Sequence, residues 1–205
     1  MARRPGRPDK NSRPGRLRIV AGKWRSRLLP VGDDPSLRPT SARVRETLFN
    51  WLAPVIGGAT VLDLFAGTGA LGLEALSRGA KRAVLVEQSK PTLRQLKDNI
   101  ATLDAGNASV VAKDALQYLC HAEPEPFDIV FLDPPYAAGL YEELCRLLDE
   151  GGWLTPGARI YLELSDDTDF PGLPAGWTVL NDKTSGKVRY LLLRAPERSQ
   201  QRSNG

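Results

Sequence analysis

The chain has 205 residues, 41% of them hydrophobic, and a formal net charge of +4 at pH 7. This composition allows a substantial core, while no apolar stretch reaches the roughly 18 residues that a membrane span needs. Two cysteines and one histidine are too few for a disulfide framework or a zinc site, so we expect a cytoplasmic, globular protein that uses no metal.

The positive charge is concentrated near the start of the sequence. Residues 1–50 contain 13 Lys or Arg and 4 Asp or Glu, so this segment carries +9 and the remainder −5. A basic segment on an acidic body is typical of a protein that binds a polyanion, although it can also serve only solubility. Residues 1–16 mix arginines with Pro and Gly and lack apolar periodicity, which predicts a disordered basic tail and no signal peptide.

Residues 17–55 are predicted to form a small extension that consists of a hairpin and a helix. Apolar alternation begins at Leu17 and resumes at Leu28, and the tip between them carries Lys23, Trp24, Arg25 and Arg27. The Trp24 ring could stack on a base while the cations hold phosphates, or it could pack under the hairpin, and both interpretations remain open. The helix starts after an N-cap at Thr40 or Ser41. Its apolar stripe is Val44, Leu48, Trp51 and Leu52.

From residue 60 onward, strands and helices alternate at the spacing of βαβ units. The predicted strands are 60–65, 82–87, 108–112, 127–132, 158–164, 176–181 and 187–194, and the predicted helices are 70–78, 90–103, 114–120 and 138–149. The last two strands are too close for a crossover helix and should form an antiparallel edge hairpin. Residues 56–194 are therefore predicted to form a doubly wound, Rossmann-like α/β domain of seven mostly parallel strands, with a frayed tail at 195–205.

A glycine-rich segment, Asp63-Leu64-Phe65-Ala66-Gly67-Thr68-Gly69-Ala70-Leu71-Gly72, joins the first of these strands to the first helix. It matches G-x-G-x-x-G, and Glu87 ends the next strand, where a carboxylate can bind the ribose hydroxyls of a dinucleotide. A nicotinamide-dependent oxidoreductase is therefore one interpretation. Asp63 argues against it, because its charge would repel a pyrophosphate but could bind the ammonium group of an amino-acid cofactor.

The segment Asp133-Pro134-Pro135-Tyr136 directly follows the fourth of these strands. Proline cannot continue a ladder, so the strand ends at Asp133, at the carboxyl edge where parallel sheets bind ligands. The Asp133 side chain and the Pro134 carbonyl then offer two acceptors beside the Tyr136 ring, which suits a planar substrate with an amino group. A tight turn with an N-cap and a packed tyrosine also explains these residues, and the segment alone favours that interpretation, so the rest of the sequence must decide.

Together these motifs resemble the class I methyltransferases, and the resemblance implies S-adenosyl-L-methionine as cofactor. The glycine-rich segment resembles the first motif of that family, Glu87 the residue that binds the ribose, and Lys113-Asp114-Ala115 the segment that meets adenine. Asp114 could also be the N-cap of the following helix, and the two roles can coexist. The residues then expected to bind the cofactor are Asp63, Phe65, Ala66, Gly67, Thr68, Gly69, Glu87, Gln88, Asp114 and Ala115.

Agreement over residues 17–193, including 18–27, 37–40, 43–52 and 71–78, resembles the bacterial small-subunit ribosomal RNA guanine-N2 methyltransferases of the RsmD type. The resemblance implies methylation of one guanine of 16S rRNA, the family site guanine-966, within the small ribosomal subunit or an assembly intermediate. It also implies that Arg38 and Thr40 lie near the cofactor and that Arg18, Arg43 and Pro135 contact RNA. We expect a monomer. An N6-adenine methyltransferase on DNA or RNA and a catalytically inactive RNA-binding assembly factor remain alternatives, as does the oxidoreductase.

In the implied mechanism, Asp133, Pro134 and Tyr136 act directly on the target amine. The two acceptors hold both N–H bonds and draw the nitrogen toward a tetrahedral form, while Tyr136 stacks on the displaced base. Methyl transfer is then an in-line displacement without a covalent enzyme intermediate. Cys120 and Cys145 fall within predicted helices and are interpreted as small core residues, so a cysteine nucleophile is not expected.

Overall fold

A computed structural model describes residues 15–31, 40–134, 140–168, 170 and 172–197. The strands are β1 (Arg16–Arg18), β2 (Leu28–Pro30), β3 (Thr60–Asp63), β4 (Arg82–Val86), β5 (Ala108–Val111), β6 (Phe127–Leu132), β7 (Leu154–Ser165), β8 (Thr178–Ser185) and β9 (Val188–Arg194). The helices are α1 (Ala42–Leu52), α2 (Gly72–Ser77), α3 (Lys90–Leu103), α4 (Ala115–His121) and α5 (Leu140–Glu150).

Seven strands form one sheet in the order β5-β4-β3-β6-β7-β9-β8, and β1 and β2 form a separate antiparallel hairpin. The first five strands of the sheet are parallel, whereas β9 runs antiparallel to both of its neighbours. A tight turn at Gly186, with φ of 63°, joins β8 to β9. The predicted doubly wound, mostly parallel sheet with an antiparallel C-terminal hairpin is confirmed.

The chain changes direction across the sheet between β3 and β6. It winds outward from β3 to β4 and β5, then returns to the other side of β3, where Asp63 is in register with Phe131. The chain leaves β3 toward β4 on one side and leaves β6 toward β7 on the other, and such a switch point opens a crevice at the carboxyl edge of the sheet. Asp133 follows β6 at this point.

Apolar side chains cover both faces of the sheet. One cluster joins residues of the N-terminal extension, including Leu29, Leu48 and Phe49, to sheet residues such as Val61 and Phe131. The Phe49 and Phe131 rings meet edge to face with centroids 6.0 Å apart. The extension and the sheet therefore share one core on this face.

A buried carboxylate on α2 anchors the hairpin to the sheet domain. Glu74 has no exposed surface and accepts hydrogen bonds from the backbone N–H groups of Val20 and Ala21, at 2.7 and 3.0 Å. Arg78 Nε donates to the same carboxylate at 2.7 Å, and Arg45 Nη1 lies 3.6 Å from it. Glu74 thus satisfies backbone donors of a segment that lies outside regular structure.

The tip of the hairpin approaches α2 closely enough to require glycine at position 22. Gly22 has φ of 82°, and a Cβ atom there would lie 1.8 Å from the Ser77 carbonyl oxygen. The Lys23 N–H donates to that carbonyl at 2.7 Å, and the Trp24 N–H donates to Ser77 Oγ at 3.0 Å. Backbone contacts therefore fix the tip against the end of α2.

Several predicted details differ in the structure. The strand predicted at 158–164 begins at Leu154, and that predicted at 176–181 spans Thr178–Ser185, because antiparallel pairing with β9 extends β8 to the turn. The helix predicted at 70–78 is only Gly72–Ser77, because turns of the glycine loop occupy the preceding residues. The prediction that Cys120 is a core residue is wrong, since Cys120 is exposed on α4.

Cys145 is buried as predicted, and burial raises the pKa of its thiol to about 12. Ser41 is the N-cap of α1, because its side chain accepts a hydrogen bond from the Val44 N–H at 3.2 Å.

None of the helices in the described ranges is long and apolar enough to cross a membrane. Within those ranges there is also no group of three His, Cys, Asp or Glu side chains placed to hold a metal ion.

Candidate active site

A cleft of about 840 Å³ opens at the carboxyl edge of the sheet, at the ends of the adjacent strands β3 and β6. Most of the residues predicted to bind the cofactor or to catalyse the reaction line it. These are Thr40, Asp63, Phe65, Ala66, Gly67, Thr68, Glu87, Gln88, Ala115, Asp133 and Pro134. The structure therefore brings together residues from both motifs, the glycine-rich segment and the segment after β6.

Two of the predicted residues, Gly69 and Asp114, support the cleft without lining it. Gly69 has φ of 94°, and a Cβ atom there would lie 2.6 Å from Leu73 Cδ1, so the loop turns tightly over α2. Asp114 is the N-cap of α4 and accepts a hydrogen bond from the Gln117 N–H at 3.1 Å. The predicted site residues Arg38, Pro135 and Tyr136, and most of both predicted tails, lie outside the described residues.

Glu87 organises the glycine loop from the end of β4. Its Oε2 accepts a hydrogen bond from the Gly67 N–H at 3.0 Å, and its Oε1 accepts one from the Ser89 N–H at 2.7 Å. The carboxylate is half-buried at the wall of the cleft. This position leaves it available to the hydroxyl groups of a ribose.

Asp63 is a buried carboxyl group at the floor of the cleft, with 2% of the residue exposed. Burial raises its pKa to about 7. Backbone hydrogen bonds from Gly72 and Phe65 lower the pKa, and the nearby charge of Glu87 raises it further. The Gly72 N–H donates to Asp63 Oδ2 at 3.0 Å. No lysine or arginine of the described ranges forms an ion pair with Asp63, so the site suits a ligand that brings a positive charge.

The segment just before α1 places Thr40 in the wall of the cleft. Thr40 immediately precedes the N-cap residue and is buried, and its Oγ1 donates a hydrogen bond to Asp133 Oδ2 at 3.2 Å. The two residues are 93 positions apart in the sequence. The extension therefore contributes directly to the geometry of the segment after β6.

Glu163, in β7, is a second buried carboxyl group in the cleft that was not predicted from the sequence. The Tyr161 hydroxyl donates to Glu163 Oε2 at 2.7 Å, and the Thr40 hydroxyl lies between Glu163 and Asp133. Burial raises the pKa of both carboxyl groups, and the charge of Glu163 raises that of Asp133 further. A signal was available, because Glu163 interrupts the apolar run Ile160-Tyr161-Leu162-Glu163-Leu164.

The cations predicted at the hairpin tip lie away from the cleft. Helices that connect parallel strands begin at the carboxyl edge of the sheet and end at the amino edge, and the tip contacts the final residues of two of them. The Lys23 N–H donates to Ser77 O at the end of α2, and Arg27 Nη2 donates to Thr102 O near the end of α3, at 2.9 Å. A helix of the length of α3 spans about 21 Å, so the tip and the cleft are at opposite edges of the sheet.

Among the other residues predicted to contact RNA, Trp24 is buried, with 7% of its surface exposed. The packing interpretation of Trp24 agrees with the structure, and the stacking interpretation is wrong, because a ring covered in this way cannot receive a base. Arg18 is exposed on β1, and Arg43 is exposed at the start of α1 beside the mouth of the cleft.

Residues 17–194 match the protein-family model described as Conserved hypothetical protein 95. The chain is 52% identical over 178 residues to ribosomal RNA small subunit methyltransferase D of Escherichia coli K12, covering 87% of this chain and 89% of that protein. It is 47% identical to the Haemophilus influenzae protein of the same name, covering 87% and 93%. A solved structure of the Escherichia coli protein yhhF superimposes with a TM-score of 0.84, at 48% identity, over 90% of this chain and 100% of that one.

Proposed function

This chain belongs to the RsmD-type family of methyltransferases, and from that premise we propose that it methylates the exocyclic N2 of a guanine in 16S rRNA. The methyl donor is S-adenosylmethionine, and the target is guanine-966 of the small ribosomal subunit or an assembly intermediate. The observation that carries the proposal is the position of Asp133 and Pro134 in the same cleft as Asp63 and Glu87. This arrangement sets two acceptors for an amine beside two carboxylates for a cofactor.

The charges of the cleft residues fit S-adenosylmethionine. Asp63 would bind the ammonium group of the cofactor, Glu87 its ribose hydroxyls, and Asp114 with Ala115 its adenine. A buried carboxyl group that lacks a cationic partner among the described residues is stabilised when a ligand brings the missing charge. When bound, the cofactor supplies an electrophilic methyl group on a sulfonium.

Asp133 and Pro134 would hold the amine to be methylated. An exocyclic amine is a weak nucleophile, because its lone pair is delocalised into the ring. Acceptors at the Asp133 carboxylate and the Pro134 carbonyl would engage both N–H bonds and turn the lone pair out of the base plane. The hydrogen bond from Thr40 Oγ1 fixes the orientation of Asp133. In the proposed complex the Tyr136 ring stacks on the base, as the family motif implies.

Asp133 and Glu163 would take up the proton that the methylated nitrogen releases. Burial and the charge of Glu163 raise the pKa of Asp133, so its carboxylate takes up a proton more readily than an isolated aspartate does. In the proposed step, the N–H bond breaks and an O–H bond forms at Asp133 Oδ. The Thr40 hydroxyl connects Asp133 to Glu163, and the Tyr161 hydroxyl donates to Glu163 from the other side.

Methyl transfer to three polymers tests this proposal. Labelled S-adenosylmethionine is supplied with unmodified small ribosomal subunits, free 16S rRNA or duplex DNA, and the labelled nucleosides are then identified. We expect N2-methylguanosine from the ribosomal substrates and no label in DNA. N6-methyladenine in DNA would overturn the substrate assignment and leave the amine chemistry standing. A lack of transfer to all three would overturn the proposed function.

A further inference from the structure

We propose that a second pocket, at the mouth of the cleft, binds a phosphodiester group of the RNA strand that carries the target base. The inference rests on the proposed function and adds to it the place where the RNA backbone is held. The pocket has a volume of about 310 Å³ and lies between α1 and the hairpin of β8 and β9. Its lining includes Arg43, Thr47, Lys183, Thr184, Ser185 and Tyr190.

The pocket presents two cations that have no acidic partner in the described part of the chain. Neither Arg43 nor Lys183 forms an ion pair there, and both side chains are exposed. The adjacent acidic residue, Asp182, is held by Arg189 through two hydrogen bonds of 2.6 and 3.1 Å. Asp182 is therefore neutralised, and the positive charge of the pocket is left for an anionic ligand.

A contact with an aromatic ring favours one position of the Lys183 side chain. Its Nζ atom lies 5.7 Å from the centroid of the Trp51 ring, and Trp51 stacks on the buried Tyr190 ring at 5.4 Å. The ammonium group is thus held on a rigid aromatic surface between α1 and β9. A cation held in this way loses less conformational entropy when it binds a phosphate than a freely rotating lysine does.

The donor types around the pocket are those that phosphate oxygens prefer. The Arg43 guanidinium can donate two parallel hydrogen bonds, Lys183 supplies a point charge, and the hydroxyl groups of Thr184 and Ser185 add neutral donors. The Thr47 hydroxyl donates to the Arg43 carbonyl at 3.1 Å, so it is already engaged within α1. The combination favours a phosphodiester over a carboxylate-bearing metabolite, since cations and hydroxyls along a groove follow a backbone.

The pocket is continuous with the catalytic cleft. Ser185 and Gly186 line both, so a group bound by Arg43 and Lys183 lies next to the opening through which a base would enter. A base that is turned into a pocket leaves its sugar and phosphates at the rim. The bound group is therefore a phosphate of the target nucleotide or of its immediate neighbour. The cations of the hairpin tip, at the opposite edge of the sheet, cannot reach that phosphate.

Charge-removing variants with a matched control test the inference. Arg43→Ala, Lys183→Ala and the double variant are compared with Lys81→Ala, because Lys81 is an exposed cation just before β4, at the amino edge. The Michaelis constant for unmodified small subunits should rise about tenfold in each single variant. The slope of the logarithm of RNA affinity against the logarithm of salt concentration should decrease by about 1, which corresponds to the loss of one phosphate contact. The turnover number and the affinity for S-adenosylhomocysteine should stay unchanged. Lys183→Arg keeps the charge, so its Michaelis constant for small subunits should equal that of the wild-type protein.

The controls separate this inference from the proposed function. If wild-type protein methylates the subunits and the double variant matches Lys81→Ala in Michaelis constant and salt slope, the phosphate site is wrong while the function stands. A double variant that loses turnover but not RNA affinity would also overturn the phosphate site, because the pocket would then act on the chemistry. If wild-type protein methylates no RNA at all, both the proposed function and the phosphate site are overturned.

Discussion

Asp133 is the side chain on which the proposed chemistry depends most directly. Asp133→Ala removes an acceptor for the amine, yet it leaves Asp63 and Glu87 in place for the cofactor. We expect single-turnover methyl transfer to fall at least about 100-fold, while calorimetry gives an unchanged affinity for S-adenosylhomocysteine. Asp133→Asn keeps one acceptor oxygen and should retain more of the rate. A wild-type rate in Asp133→Ala would remove this residue from the mechanism.

The pKa of Asp63, raised to about 7 by burial, predicts how cofactor binding depends on pH. Only the ionised carboxylate attracts the ammonium group, and protons compete for it below pH 7. Affinity for S-adenosylhomocysteine should therefore rise with pH up to about 7, by at most tenfold per pH unit, and level off above. Asp63→Asn should weaken binding and abolish this dependence. Calorimetric titrations between pH 5 and 8 measure both effects, and a flat profile for the wild-type protein would contradict the assigned role.

The same calorimetric titration with NAD tests the oxidoreductase alternative. NAD binding without S-adenosylhomocysteine binding would favour that alternative.

Glu163 controls the ionisation of Asp133 in this account. Burial raises the pKa of Asp133 most, and the charge of Glu163 raises it further. The Tyr161 hydroxyl donates to the Glu163 carboxylate, and the Tyr141 hydroxyl donates to the Glu163 backbone carbonyl. Glu163→Gln removes a negative charge, so the pKa of Asp133 should fall and the acidic limb of the turnover profile should move to lower pH. Glu125→Gln makes the same charge change in an outlying pair with Arg82. Coincident profiles for the two variants would mean that Glu163 does not act on Asp133.

The contact between the hairpin and α2 determines whether the extension supports the cleft. Gly22→Ala would place a methyl group 1.8 Å from the Ser77 carbonyl at a positive φ, so the hairpin must shift away from Glu74. We expect the free energy of unfolding to fall by about 2 kcal/mol or more. Gly57→Ala is the matched control, because a Cβ atom there meets nothing within 4 Å. Denaturant titration compares the two variants, and equal stabilities would show that this contact is not needed.

The order of strands and helices could be predicted from the sequence, because local periodicity and turn residues determine each of them. Residues 60–63, 82–86 and 127–132 form strands almost as predicted, and the glycine loop connects β3 to α2. The boundaries of α2 and β8 could not be predicted, because the first depends on the turns of the glycine loop and the second on pairing with β9.

The parts of the site that escaped prediction depend on contacts between distant residues. The hydrogen bond from Thr40 to Asp133 spans 93 positions, and the two bonds that Glu74 accepts from backbone N–H groups of the hairpin span 54 and 53. Neither leaves a periodic pattern that sequence reading can detect. The resemblance indicated that Thr40 lies near the cofactor, but its donation to Asp133 emerged only from the fold. Trp24 could not be assigned either, because its burial depends on how the hairpin packs against α2.

The overall arrangement sets one cleft at the carboxyl edge of the sheet, with the extension, the C-terminal hairpin and the segment after β6 converging on it. Positive charge lies at its mouth, on Arg43 and Lys183, and again at the opposite edge on the hairpin tip. In the proposed function, the cleft would carry out the chemistry on a single base, and cations outside it would bind the polyanion. A small-molecule substrate would not contact either group of cations.

The most direct test of the central claim is to locate the methyl group that the protein adds to unmodified small subunits. Digestion of the 16S rRNA and mass spectrometry of the fragments identify both the modified base and its position. We expect one N2-methylguanine, at guanine-966, with wild-type protein and none with Asp133→Ala. A methyl group on any other atom or nucleotide, or the same product from Asp133→Ala, would contradict it.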